Sequence, residues 1–515
     1  MEQFVQTVTS INDSINTFVW VKIGLVLLIG TGVLMTVLLK FFQVTHFGHW
    51  WKKTVGGVLK KEKGVKHNKD EGSVSQFQAL CTALAATIGT GNIAGVAAAI
   101  FIGGPGAVFW MWIAAFFGMI TNFSENVLGI YYRRRNEAGE WSGGPMYYIR
   151  DGLGKLTGYE GLSKILAVLF SIFAVLASFG IGNMGQVNKI TMNIESAFFS
   201  GLPKAYIFGE AAGITWTALI IGLVLMVAAG IIILGGLQRI VAVAEKVVPF
   251  MAVVYIIGAL IIFICHIGIV GAVFASIFRF AFGVKAVGGA AAGIAIKTVI
   301  TQGCKRGVFS NEAGLGSSVM VHSNSNVREP VKQGLWGIFE VFADTFVVCT
   351  MTAVVVLSSG YIDLNTGLAV EGISDATVVA RAFGDIFGKG GEIFVALAIL
   401  LFAFTTVLGW SHYGTKAFEY LFGTKSTKLY KIVFVLMIVS GSLMTSSIAW
   451  DISDTFNGMM MIPNLIGVVA LSPVVVMITR NYVARKINGE DVEPILSALP
   501  DIQEEQAKAV KQGEE

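Results

Sequence analysis

The sequence predicts an all-α polytopic membrane protein of about eleven spans, and three observations predict it. Of the 515 residues, 54% are hydrophobic and only 14% are charged, whereas a soluble domain carries about 25% charged residues. The mean hydropathy is +0.71. Apolar runs of about 20 residues, enough for a helix to cross a bilayer, recur along the whole chain. In lipid only helices and closed barrels satisfy their own backbone groups, and these runs are too long for barrel strands. Such a composition excludes a cytosolic enzyme, a nucleic-acid binder and a disordered scaffold. The net charge of +4 matters only through where the charges fall.

The candidate spans are 18–44, 76–102, 106–132, 165–190, 213–237, 241–266, 286–322, 334–358, 392–413, 430–449 and 459–480. The amino terminus has no basic residue before Lys22, so the first run reads as a retained span rather than a secretory signal. Basic residues set the orientation. Lys52, Lys53, Lys60, Lys61, Lys63, Lys66 and Lys69 follow the first span, and Arg133, Arg134, Arg135, Arg150, Lys155 and Lys164 follow the third. Arg328 and Lys332 precede the eighth, and Lys416, Lys425 and Lys428 follow the ninth. The loop 103–105 has none, and 450–458 carries Asp451 and Asp454. This alternation predicts a multi-pass protein of the plasma membrane with its amino terminus outside and its carboxyl terminus in the cytoplasm. The organisation expected is an extra amino-terminal helix and basic loop over 1–75, a membrane-spanning core over 76–485 and a charged tail over 486–515. The cysteines Cys81, Cys265, Cys304 and Cys349 show no metal spacing and read as reduced.

Two spans are broken by their own composition. The second reads Ala-Thr-Ile-Gly-Thr-Gly-Asn-Ile-Ala-Gly-Val from Ala86 to Val96, with the Gly89-Thr90-Gly91-Asn92 core at mid-depth. Gly91-xxx-Gly95 also fits close helix packing. The sharper alternative is a discontinuous helix whose freed amides bind a carboxylate and whose freed carbonyls bind a cation. The seventh, Thr301 to Ser318, is Gly-rich and polar between apolar flanks. Two interruptions five spans apart predict an inverted repeat, about 76–266 and 286–485. Lys297, Lys305, Arg306 and Glu312 in that region, with Glu340 and Asp344 one turn apart on the next span, are expected to form an ion network near the cytoplasmic face, since charges at membrane depth are usually paired. A proton relay is the alternative. Gln186 on the fourth span faces a cavity if the buried stretch begins after Lys164, and otherwise lies near the outer surface. Thr405 and Thr406 offer two hydroxyls at mid-depth, for back-bonding within the helix or for a hard cation. Phe309 and Trp410 read as packing residues or as pocket walls.

The segment Gly103-Gly-Pro-Gly-Ala-Val-Phe-Trp-Met-Trp-Ile-Ala-Ala-Phe-Phe-Gly118 resembles the signature of the sodium:alanine (alanine or glycine:cation) symporter family. Thr87 to Val96 and Arg306 to Ser317 resemble that family's other typical stretches, and the likeness covers about residues 75–485. The resemblance implies a LeuT-like 5+5 inverted-repeat core with discontinuous helices plus the extra amino-terminal helix. It implies sodium-coupled symport of small neutral amino acids of the alanine and glycine class. By position, Thr87, Gly89, Thr90 and Gly91 would hold the substrate carboxylate, with Gln186, Phe309 and Trp410 lining the pocket and Ser310 and Asn311 near the second break. Asn92 would serve one sodium site. The carbonyls of Ala85 and Ile88, with Phe402, Thr405 and Thr406, resemble a second. The resemblance implies sodium as the coupling ion and no cofactor, with serine and glutamine as further candidate substrates.

A proton-coupled symporter on the same fold is the main rival, and it needs a titratable group in the cavity. A channel would favour symmetric pore-lining rings, and a receptor a soluble output domain. The sequence has no Ser/His/Asp or metal-spaced constellation and no GxxxxGK[ST] phosphate loop, so neither an enzyme nor an ATP-driven pump is expected.

Overall fold

A computed structural model describes residues 2–60, 65, 72–201, 203–207, 209–210, 213–282, 296–445 and 448–512. Described in chain order, the helices are α1 (Gln6–Leu38), the bent pair α2 (Gln76–Thr87) and α3 (Gly91–Gly103), α4 (Gly106–Tyr131), α5 (Glu160–Phe198), α6 (Trp216–Ile233) and α7 (Leu237–Cys265). A shorter apolar helix, α8 (Ile267–Ala281), follows. The second half comprises α9 (Ile296–Asn311), α10 (Val319–His322), α11 (Pro330–Ser358), α12 (Asp375–Phe387), α13 (Lys389–Phe422), α14 (Thr427–Ser442) and the bent pair α15 (Asp451–Ala470) and α16 (Ser472–Lys486). A last helix, α17 (Pro500–Lys511), lies in the tail. The strands among the described residues are Arg134–Arg135 and Trp141–Ser142, a small antiparallel ribbon in the basic loop after α4.

Among the described residues, seven unbroken helices are long and apolar enough to cross a membrane, nine when each bent pair counts as one span. The other two expected spans correspond to α9 with α10 and to α14. Residues 286–295 of the seventh expected span, Lys61, Lys63, Lys66 and Lys69 in the basic loop, and residues 446–447 lie outside the described residues.

Several boundaries differ from expectation. The fourth span runs from 160 to 198, not 165 to 190, passing through a wide π-helical turn at Gly180–Met184. The ninth covers 389–422 rather than 392–413. In the ninth, the added polar residues Thr415, Lys416 and Glu419 are buried against protein, whereas the added first turns, at Glu160 and Lys164 and at Lys389, are exposed. The expected loop 450–458 is helical throughout, and the eleventh span bends by 58° after Ala470, where Pro473 opens α16.

The expected ion network is replaced by different pairs. Lys305 Nζ bonds Asp454 Oδ2 at 2.7 Å, joining α9 to the start of α15. Arg306 lies over the Phe309 ring, and Lys297 is exposed. Glu340 takes His322 Nε2 at 3.0 Å, and Asp344 takes Asn92 Nδ2 at 2.5 Å. The reason is geometric. Lys305 points to α1 and α15, whereas Glu312 lies beyond the end of α9, where the chain has turned left-handed.

Small residues let the helices approach closely, as membrane helices require. A Cβ at Gly409 of α13 would sit 2.7 Å from the Ala86 Cβ of α2. That contact places the middle of α13 against the last turn of α2.

Candidate functional site

The first break is built by local competition for hydrogen bonds. Ser75 and Gln78 form a reciprocal capping box that starts α2. At its other end Ile88 leaves helical geometry with ψ 87°. The Gly89 amide then donates to Asn92 Oδ1 at 2.9 Å, and the Thr90 amide to Gln186 Oε1 at 3.4 Å. The Asn92 amide reaches the Gly89 carbonyl at 3.3 Å. In a continuous helix these three amides would have served the carbonyls of Ala85, Ala86 and Ile88. Those carbonyls thereby lose their helical donors, and α3 resumes at a 55° angle.

Gln186 on α5 is 3% exposed and spans the break. Its Oε1 accepts from Thr90 Oγ1 at 3.0 Å, while its Nε2 donates to the Ile181 carbonyl at 3.1 Å. Thr406 Oγ1 also faces Gly89: a Cβ there would lie 2.5 Å from it and 3.5 Å from Gln186 Oε1. Thr406 donates to the Phe402 carbonyl at 3.0 Å, and Thr405 to the carbonyls of Leu401 and Phe402, each at 3.0 Å. Back-bonding within the helix and orientation toward the break therefore coexist, since a hydroxyl that donates backward keeps its lone pairs free. Thr405 turns instead toward Met251 of α7. Thr87 Oγ1 is tied back to the Ala83 carbonyl, and Ala85, Ile88 and Phe402 are buried.

The second break faces the first. A Cβ at Gly91 would meet the Phe309 ring at 3.2 Å and Ser310 Cα at 3.5 Å. Ser310 Oγ and Asn92 Nδ2 converge on the same oxygen, Asp344 Oδ1, at 3.1 and 2.5 Å. Asn311 Nδ2 donates to Thr345 Oγ1 at 3.0 Å, and its Oδ1 accepts from the Ala313 amide at 3.0 Å. Beyond Asn311 the backbone takes positive φ at Glu312, Gly314 and Gly316. Trp410 of α13, 1% exposed, lies one turn past Thr406 and packs directly on Gly182 in the π turn of α5. Its indole Nε1 donates to Glu312 Oε1 at 2.9 Å.

The cavity that reaches Thr90 lies between α3, α5, α12 and α13 and holds about 30 Å³, room for one or two waters. That volume is too small for an amino acid.

Residues 5–495 match the sequence model of the sodium:alanine symporter family. The chain belongs to this family. Among its relatives, the sodium/alanine symporter AgcS of Methanococcus maripaludis is 43% identical over 475 residues, covering 92% of this chain and 97% of its own. A probable sodium/glutamine symporter, GlnT, of Bacillus subtilis is 35% identical over 95% of this chain and 93% of its own. The solved structure of MhsT in complex with L-phenylalanine superposes with a TM-score of 0.52, covering 80% of this chain and 99% of that one at 14% identity. At that identity the likeness shows the LeuT-type fold.

In this family member the sequence reading passed over the groups that hold the second break. The Gly314 amide donates to Glu125 Oε2 at 3.3 Å, and its carbonyl accepts from Asn464 Nδ2 at 2.8 Å. Asn464 also bonds Glu125 and the Tyr148 hydroxyl. Glu125, a lone carboxylate in an apolar span, was the signal available in the sequence. Asp344 was singled out there, but as a partner for lysine and arginine.

Proposed function

We propose that this chain is a sodium-coupled symporter that carries small neutral amino acids of the alanine and glycine class into the cell. The observation that carries the reading is the apposition of two broken helices, with Gln186 and Thr406 both reaching the first break. Unwound backbone at membrane depth is stable only against protein or a polar cavity, and freed helix ends of this kind hold ions and carboxylates. The amides around Gly89, Thr90 and Gly91, beside Thr87, take the substrate carboxylate. Gln186, Phe309, Ser310, Asn311 and Trp410 form the rest of the pocket. The carbonyls of Ala85 and Ile88, the Phe402 carbonyl and the hydroxyls of Thr405 and Thr406 make one sodium site, and Asn92 contributes to another. The amino terminus lies outside.

One sodium ion moving through about 100 mV and a tenfold gradient releases about 3.7 kcal/mol, enough to sustain an amino-acid gradient of several hundred-fold. The test is uptake of labelled alanine into proteoliposomes, with and without an inward sodium gradient. Accumulation that needs sodium is expected, and equal accumulation without it overturns the reading.

One observation favours proton coupling as the second reading. Glu312, Glu340 and Asp344 are fully buried and, among the described residues, pair with no lysine or arginine. Concentrative uptake driven by a pH gradient in sodium-free buffer decides for it.

A further inference from the structure

Glu312 stands apart from the other buried carboxylates. It is a residue with a side chain in the left-handed region, at φ 57°, where the next two turns of the break use Gly314 and Gly316. An L side chain pays a backbone cost there that glycine does not. Both its oxygens are engaged: Oε1 accepts from the Trp410 indole at 2.9 Å, and Oε2 from Ser317 Oγ at 2.6 Å. One carboxylate therefore fastens three things together: the end of α9, the approach to α10, and the ring one turn past Thr406 on α13. The ring also lies against Gly182 and makes an edge contact with Tyr413 at 5.4 Å.

We propose that Glu312 is a positioning residue for substrate selection: it holds the Trp410 ring as the wall of the central pocket and ties that wall to the hinge at the second break. This rests on the reading of Trp410 as a pocket wall. Buried indole N–H groups need an acceptor, so the ring takes the one orientation in which Nε1 meets Glu312. When the hinge moves, the wall moves with it, and pocket size is set by the same segment that opens and closes the centre.

The test is competition against labelled alanine uptake by serine, leucine and phenylalanine, measured in proteoliposomes on Trp410→Ala, Trp410→Phe, Glu312→Ala, Glu312→Gln and the pair Glu312→Ala with Trp410→Phe. Glutamine keeps an acceptor for the indole and a donor for Ser317, so Glu312→Gln keeps the wild-type order of competitors. Glu312→Ala raises the alanine KM about tenfold and lets leucine compete, with a much smaller change in maximal rate. Trp410→Phe removes the donor but keeps a ring, and gives the same profile. The pair is no worse than the poorer single variant, as expected for two ends of one interaction. A purely structural glutamate would change yield and melting temperature but not the ratio of leucine to serine inhibition. If Trp410→Ala broadens competition while Glu312→Ala does not, the proposal falls and the pocket reading stands. If Trp410→Ala leaves competition unchanged, the pocket reading itself falls. Should Glu312→Ala fail to fold, Trp410→Phe decides alone: an unchanged profile overturns the proposal.

Discussion

At the scale of single residues, two adjacent threonines with the same chemistry sit in different places. Thr406 Oγ1 faces the Gly89 break, whereas Thr405 Oγ1 lies 3.6 Å from the Met251 sulfur. Both donate backward into their own helix, so each oxygen keeps lone pairs for a cation. Valine preserves the shape and removes only the hydroxyl. Thr406→Val is expected to raise the sodium concentration for half-maximal uptake about tenfold, equivalent to about 1.4 kcal/mol, and Thr405→Val to have the smaller effect. Equal, wild-type sodium dependence in both variants places the cation elsewhere. Gln186 makes a second case. Its oxygen is shared by the amide and hydroxyl of Thr90, and Gln186→Glu would bring a negative charge to the place proposed for the substrate carboxylate. Alanine affinity should fall at least tenfold, read as KM in the same uptake assay.

At the scale of elements, the breaks work because neighbouring helices stay close. Gly409 lets α13 touch Ala86, with its would-be Cβ 2.9 Å from the Ala86 amide nitrogen. Gly409→Ala must push the two helices apart, and overpacking of this kind costs about 1–3 kcal/mol. The expected outcome is weakened sodium dependence together with a lower melting temperature, measured by dye-free thermal unfolding in detergent. On α9, Lys305 binds Asp454 at 2.7 Å with side chains only 17% and 10% exposed, and Asn16 of α1 bonds both partners. Removing one charge from a largely buried pair strands the other, a loss of up to about 3–5 kcal/mol when burial is complete. The Lys389–Glu392 pair is exposed and worth about 0–1 kcal/mol. Asp454→Asn should therefore lower the melting temperature clearly more than Glu392→Gln, and a reversed order would remove the stabilising role assigned to the first pair.

For the molecule as a whole, the prediction concerns sidedness. Lys52 lies in the basic stretch after α1 and Lys389 at the start of α13, and both are exposed. Cys265 is the exposed native cysteine, the other three being buried. In a Cys265→Ser background, single cysteines at Lys52 and Lys389 should react with an impermeant thiol reagent from opposite sides of the membrane. Labelling from one side only would overturn the orientation read from the basic loops.

Fold class was legible from the sequence because lipid imposes a local rule: a spanning segment must be long, apolar and helical, and each one announces itself. The two breaks were legible for the same reason, since Gly89-Thr90-Gly91-Asn92 and the run after Thr301 are polar and Gly-rich where an apolar helix should continue. The pairings were not. Asn92 meets Asp344 across 252 positions, Thr90 meets Gln186 across 96, and Lys305 meets Asp454 rather than Glu340 or Asp344. Local composition says that a buried charge needs a partner, but only the packed helices decide which one is within reach. Hydropathy alone does not place the end of α13, because Thr415, Lys416 and Glu419 are sheltered by protein and composition cannot tell a protein neighbour from water. The tertiary structure alone turned Glu312 away from the basic residues of α9 and onto Trp410, because the left-handed turn after Asn311 re-aims its side chain.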